Sequence, residues 1–348
     1  MAAVFSAVLL LGAPAIYGLM CGEGETLSAA VEYSNALFAG AFAYWLLSTF
    51  TSVVRGAGQA AILAVVYVAA ELLHIILVPL LMYGLGPVPA LGITGVGLAT
   101  VISFVASTVF LARYVAAGRT AIRLSLRGVI LSRRLFVEIL RVGGPMSFQP
   151  ILNNVALATL TGFVAALGAA ELAGFGIAVR LEYLLYPLAF GLGAGVISMV
   201  GTNIGAGQVV RARRIAWIGA GLAGAITGVI GLFGVFIPGA WISLFSASPE
   251  IHALAAGFLA VTCLAFPFLG LGLTLGSACQ AAGQPLWPLL GVTGRALVVI
   301  AGGWLFVHGL EGGLGDLAFA AAAGLVTYGV VLTIASRVRV WQRFGKGG

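Results

Sequence analysis

A few polar and ionisable side chains interrupt long apolar runs, and these are the residues with chemistry to offer. The run 173–200 reads Gly174-Phe175-Gly176-Ile177-Ala178-Val179-Arg180-Leu181-Glu182, followed by Tyr183 and Tyr186-Pro187. On a helix, Glu182 and Tyr186 are four residues apart and share a face, whereas Arg180 and Glu182, two apart, point to different faces. Pro187 removes a backbone donor, frees the carbonyl of Tyr183 and predicts a kink there. A carboxylate beside a bare carbonyl is a pairing able to take a cation or a proton. The run 145–167 carries Gln149, Pro150 and the pair Asn153-Asn154. Pro150 frees the carbonyl of Met146, and the amides either bind an ion or ligand or tie helices together. Glu71 and His74 lie one turn apart in the run 60–84, and Arg295 is central in 285–308.

Other chemistries lack their residues. The only lysine is Lys346 and the only aspartate is Asp316. A phosphate-binding P-loop requires its lysine, so ATP hydrolysis of that kind is excluded. Prenyl transfer needs clustered aspartates, which are missing. The histidines, His74, His252 and His308, are dispersed, and Cys21, Cys263 and Cys279 show no metal-ligand spacing. No catalytic set or metal site emerges, and the chain reads as a non-enzyme without a cofactor.

The elements that hold these residues follow from composition. Of the 348 residues, 61% are hydrophobic and 8% charged, with a mean hydropathy of +1.14. A soluble surface needs about 25% charged residues, so most of this surface faces lipid. Apolar runs occur at 2–20, 28–53, 60–84, 90–116, 145–167, 173–200, 215–238, 251–278, 285–308 and 316–336. Each is about 20 residues or longer, enough to cross a hydrocarbon core of about 30 Å as a helix. The fold class is therefore all-α integral membrane, with about ten transmembrane helices. A charge midway along such a helix costs about 2.5–3.5 kcal/mol, so Glu71, Glu182 and Arg295 should face a cavity or a partner. Each could equally be an ion pair that only fixes helix packing.

Charge distribution sets the topology. With both termini in the cytoplasm, 15 of the 17 basic residues fall in inside segments, leaving Arg180 and Arg295. The outside segments then hold Glu23, Glu25, Glu171, Glu250, Glu311 and Asp316. The net charge of +7 thus reflects orientation in a cell (inner) membrane and not a nucleic-acid partner. Residues 117–141 alternate arginines with apolar side chains, as an interfacial linker would. They divide the chain into an N-terminal lobe of four helices (1–116) and a C-terminal lobe of six (142–348). The turn Gly201–Gln208, followed by Arg211, Arg213 and Arg214, is read as cytoplasmic.

A repeat with a spacing of about 225 residues links the lobes. Gly56-Ala57-Gly58-Gln59 corresponds to Ala281-Ala282-Gly283-Gln284, and Tyr83-Gly84-Leu85 to His308-Gly309-Leu310. Repeats with an even helix number keep the same orientation in the membrane, so the two bundles should be pseudo-symmetric about its normal. The first two helices of the second lobe have no counterpart in the first. The repeat therefore implies six plus six helices, of which four plus six are present, and predicts a fragment or misassigned start. The alternative is a native four-plus-six protein.

The stretch from Gly174 through Glu182, the run Gly191-Leu192-Gly193-Ala194-Gly195 and Val200–Gly207 resemble the signature of the multidrug and toxic compound extrusion (MATE) family. Arg55–Gln59 and Leu91–Thr100 resemble its fifth and sixth helices. The resemblance covers nearly the whole chain as helices three to twelve. It implies two six-helix lobes, a central cleft, alternating access, and export of amphipathic organic cations in exchange for protons or sodium. The chain itself is read as a monomer. The family's proton-linked aspartate lies on a helix absent here, and 145–167 and 251–278 lack the sodium-type carboxylates. The coupling ion is left open, with Glu182 and Glu71 as the acidic candidates. The related flippases for lipid-linked sugars are the alternative, needing a cationic cleft for diphosphate. A truncated, non-transporting fragment is the third reading.

Overall fold

The computed structural model describes residues 2–20, 24–84, 89–120, 132–310 and 312–342. The apolar and basic residues 121–131, at the centre of the expected linker, lie outside them, as do Cys21, Glu23, Glu311, Arg343 and Lys346. The described residues are mostly helical, joined by short turns, with no strand among them. Tertiary contacts divide the chain into two units, Met1–Val129 and Ile130–Gly348.

The first unit comprises α1 (Ala2–Met20), α2 (Glu25–Ala39), α3 (Ala41–Gly56), α4 (Ala60–Tyr83) and α5 (Gly92–Ala116). Its core is small: Leu47, Val54, Leu63, Val66, Leu111 and Val115 pack together from α3, α4 and α5. The second unit comprises α6 (Arg133–Leu167), α7 (Ala169–Gly205), α8 (Val209–Phe236), the short α9 (Pro238–Ile242), α10 (Pro249–Thr262), α11 (Phe266–Ala281), α12 (Leu286–Trp304) and α13 (Leu314–Val338). A 3-10 turn joins α10 to α11, and a π turn at Leu305–Gly309 extends α12. Its core is larger, built around Leu181, Leu185, Phe258, Phe266, Leu317 and Leu325. Among the described residues eight helices are long and apolar enough to cross a membrane, nine if the bent pair α2–α3 is one span. α1 occupies the tenth expected segment.

Several boundaries differ from expectation: α7 runs on to Gly205, taking in residues 201–205 that were read as a turn, and α8 starts at Val209, not near 215. α6 starts at Arg133, not near 145, and passes through Pro145 and Pro150. An Arg134–Glu138 pair at 3.1 Å, one helical turn apart, supports its first turns. The segment expected as a continuous helix at 28–53 is bent by 49° between α2 and α3. The bend falls at Gly40, where a Cβ would collide with the Val101 side chain of α5. Only a glycine admits that approach.

The repeat is visible in element boundaries. α3 and α11 both have 16 residues, and Ala41 and Phe266 stand 225 positions apart. The bend before α3 is matched by the 3-10 turn Cys263–Ala265 before α11, where Pro267 withholds a backbone donor. After α3 and α11 the chain turns at Gly58 (φ 81°) and Gly283 (φ 67°), a left-handed conformation that favours glycine. The next residue in each repeat does the same work. The Gln59 amide donates to the carbonyl of Arg119, just past α5, and the Gln284 amide to that of Val340, just past α13, both at 2.9 Å.

The buried Val340 makes the second clamp the stronger one. Gln284→Leu should lower stability by about 1–2 kcal/mol, because the Val340 carbonyl loses its donor. Gln59→Leu, at an exposed bond, should have a smaller effect. Thermal unfolding of the purified protein in detergent, followed by tryptophan fluorescence, tests this; equal midpoints for wild type and Gln284→Leu would refute it.

Candidate functional site

The polar residues of the second unit converge. α6 contributes Gln149, Asn153 and Asn154, spaced so that Gln149 and Asn153 share a face. α7 contributes Tyr186 and Phe190, again one turn apart. α12 contributes Arg295. These side chains line a cavity of about 430 Å³, closed on the other side by α11 and α13. That volume is within the range of small-molecule sites, about 300–1,000 Å³. Pro150 also lines it, and both α6 and α7 run on as helix through Pro150 and Pro187.

An ion pair stands in the cavity wall. The Nη2 of Arg295 donates to Oε1 of Glu182 at 2.7 Å, and Nη1 donates to the Tyr186 hydroxyl at 2.9 Å. The Tyr186 hydroxyl in turn donates to the same Glu182 oxygen at 3.2 Å. The Arg295 and Glu182 side chains are only 15% and 17% exposed. Short charge-assisted bonds of this kind are about twice as strong as neutral ones. They are needed here, since an isolated ion in lipid is far costlier than a matched pair.

The three groups are not placed equally. Asn153, Tyr186 and Arg295 line both the main cavity and a smaller void of about 30 Å³ behind it. Glu182 lines the smaller void alone. The main cavity therefore sees a guanidinium, a phenol and amides, and none of its lining residues is acidic.

Other sequence candidates lie elsewhere. Arg180, two residues from Glu182, points away as expected, its guanidinium carbon 5.0 Å from the centre of the Phe245 ring. Glu71 and His74 belong to the first unit. Their side chains approach to 4.0 Å, and Thr100 Oγ1 lies 3.1 Å from His74 Nε2. Glu71 is 75% exposed, so its position contrasts with that of Arg295, its near counterpart in the repeat. Residues missed from sequence complete the cavity: Phe190, Ser277, Gln280 and Tyr328. Ser277 and Tyr328 carried a signal, as polar groups within apolar runs; Gln280 lies just past the run 251–278, and Phe190, apolar itself, carried none. Among the described residues no group of three or more histidine, cysteine, aspartate or glutamate side chains could hold a metal ion.

Comparisons with known proteins agree on one family. The MatE family model matches residues 1–80 and 145–305. A probable multidrug resistance protein NorM of Thermotoga maritima is 26% identical over 305 residues, covering 83% of this chain and 63% of that protein. A protein of the same name from Pseudomonas aeruginosa is 28% identical over 332 residues, covering 89% and 65%. A protein named FAD transporter from Shewanella oneidensis is 22% identical, covering 79% and 61%. The chain thus spans less than two thirds of the length of these relatives. Among solved structures, a MOP superfamily transporter from Pyrococcus furiosus superposes with a TM-score of 0.90 at 23% identity, over 97% of this chain and 75% of that one. An outward-facing MATE family transporter gives 0.89 at 24% identity, with the same coverage. With the family model matching well over half of the residues, and helices of the expected length and order, the chain belongs to the MatE family, whose members are integral membrane transporters and not enzymes.

Proposed function

We propose that this chain is the transport body of a secondary exporter of amphipathic small molecules, driven by exchange for protons or sodium through alternating access. The observation that carries the reading is the cavity of the second unit, with an ion pair built into its wall at membrane depth. A transporter needs a site of ligand size and a charge whose pairing can change. Multidrug resistance relatives support the export direction. The lone lysine supports gradient coupling, because it leaves no P-loop for ATP.

Glu182 is the coupling residue in this reading. Its carboxylate is held by Arg295 and Tyr186, so an incoming proton or sodium ion has to compete with them. That exchange would loosen the contact between α7 and α12 and change which side the cavity faces. Glu71 is the second candidate, with His74 as its neighbour. Both termini are cytoplasmic, the transporter sits in the cell membrane, and it acts as a monomer.

The rival role for Glu182 is purely structural, and the two roles separate in one experiment. In proteoliposomes with an imposed proton or sodium gradient, Glu182→Gln should abolish the gradient dependence of dye export. Glu71→Gln is the parallel test. Unchanged gradient dependence in both would reject the coupling assignment. Stability gives a second readout: Arg295→Gln leaves a carboxylate unpaired and should cost about 3–5 kcal/mol. The double substitution Glu182→Gln with Arg295→Gln should recover most of that loss in thermal unfolding. Orientation is testable by thiol labelling of intact cells. A cysteine at Gly315 should react with an impermeant reagent from outside, and one at Ser132 should not; labelling of both from one side would overturn the topology.

A further inference from the structure

From the composition of its walls, we infer that the cavity of the second unit selects amphipaths bearing an anionic group, a carboxylate, sulfonate or phosphate, seated on Arg295. The inference rests on the transport reading and names its ligand class.

The argument is one of charge and donors. Arg295 reaches the main cavity, whereas Glu182, its partner, lines only the void behind. The pair is therefore polarised, with its positive end toward the ligand space. A guanidinium has five N–H donors in a planar fork that matches oxyanions. Two of its bonds run to Tyr186 and Glu182, so an oxyanion can be met by the fork without breaking the pair. Gln149, Asn153 and Asn154 add amide donors on the facing helix. A cation entering the same space finds no carboxylate among the lining residues, and it meets Arg295 as a like charge. The rings of Tyr186, Phe190 and Tyr328 offer flat apolar surface for the body of the ligand. An anion in this low-dielectric setting gains more from one guanidinium than it would in water. At this site the inference departs from the organic cations that family resemblance implies.

The test uses two dansyl probes that share a fluorophore and differ at the tail, one ending in a carboxylate (dansylglycine), the other in a quaternary ammonium. Each is titrated against the purified full chain in detergent. The carboxylate probe should bind about tenfold more tightly, the size of one charge-assisted contact of about 1.4 kcal/mol. Arg295→Gln should remove that preference, and Arg295→Lys, a point charge without the fork, should keep part of it. Asn154→Trp, at an exposed position away from the ion pair, should fill the cavity and weaken both probes. Equal affinity of the wild type for the two probes, or preference for the ammonium, overturns the inference, as does a preference that survives Arg295→Gln. If Arg295→Gln does not fold, undiminished carboxylate binding by Asn154→Trp overturns it instead. Failure here is distinct from failure of the transport reading. Equal binding of both probes with gradient-driven export sinks only the ligand class, whereas no binding and no export sinks both.

Discussion

The bilayer interior supplies no water to an ion or a backbone amide, and the rest of the structure is arranged around that constraint. It makes helices obligatory, and it makes each charge at depth an exception that requires a partner. The Arg295–Glu182 bond is the clearest consequence. It joins α12 to α7 across the core of the second unit, and it places two opposite charges where neither is tolerable alone. Tyr186 completes the set, accepting from one partner and donating to the other. A single hydroxyl thereby satisfies both members of the pair. The polar wall of the cavity is in part a by-product of this solution: two members of the network, Tyr186 and Arg295, also line the cavity.

The same constraint explains the weight placed on small residues. Helices in lipid gain little from excluding water, so they associate through close packing. Gly40 lets α5 press against the bend between α2 and α3. On α8, Ala212, Ala216, Ala220 and Ala223 are all buried, a smooth strip over which α7 and α11 lie. Where helices end, unpaired carbonyls again need donors. The recurring Gly-Gln turn supplies one in each unit, with glycine adopting the left-handed conformation and glutamine reaching the end of the final helix.

The two units put the same plan to different uses. Their breaks occur at matching positions, yet one is produced by a close-approach glycine and the other by a proline at a helix start. The repeat therefore conserves a place for the break and not the means of making it. The near-matching positions of Glu71 and Arg295 diverge further, one largely exposed and the other half of a buried pair. A repeat in backbone geometry does not carry its side-chain chemistry with it.

What sequence alone determined was whatever depends on solvation by lipid. So few charges force helices about 20 residues or longer, and their periodic interruption located nearly every element. The bend at Gly40 escaped because apolar composition continues across it, and the early start of α6 escaped because arginines at a helix end read equally well as a linker. Six of the cavity's residues, Gln149, Pro150, Asn153, Asn154, Tyr186 and Arg295, were visible as polar groups or prolines in apolar runs. Their convergence was not, nor was the pairing of Arg295 with Glu182, which are 113 positions apart. Local spacing shows which side chains share a helix face, but it carries no information about which face of another helix packs against it. Only the tertiary structure decided that Arg180 turns to Phe245 while Glu182 takes the buried arginine, and so only it decided the sign of the charge the cavity presents.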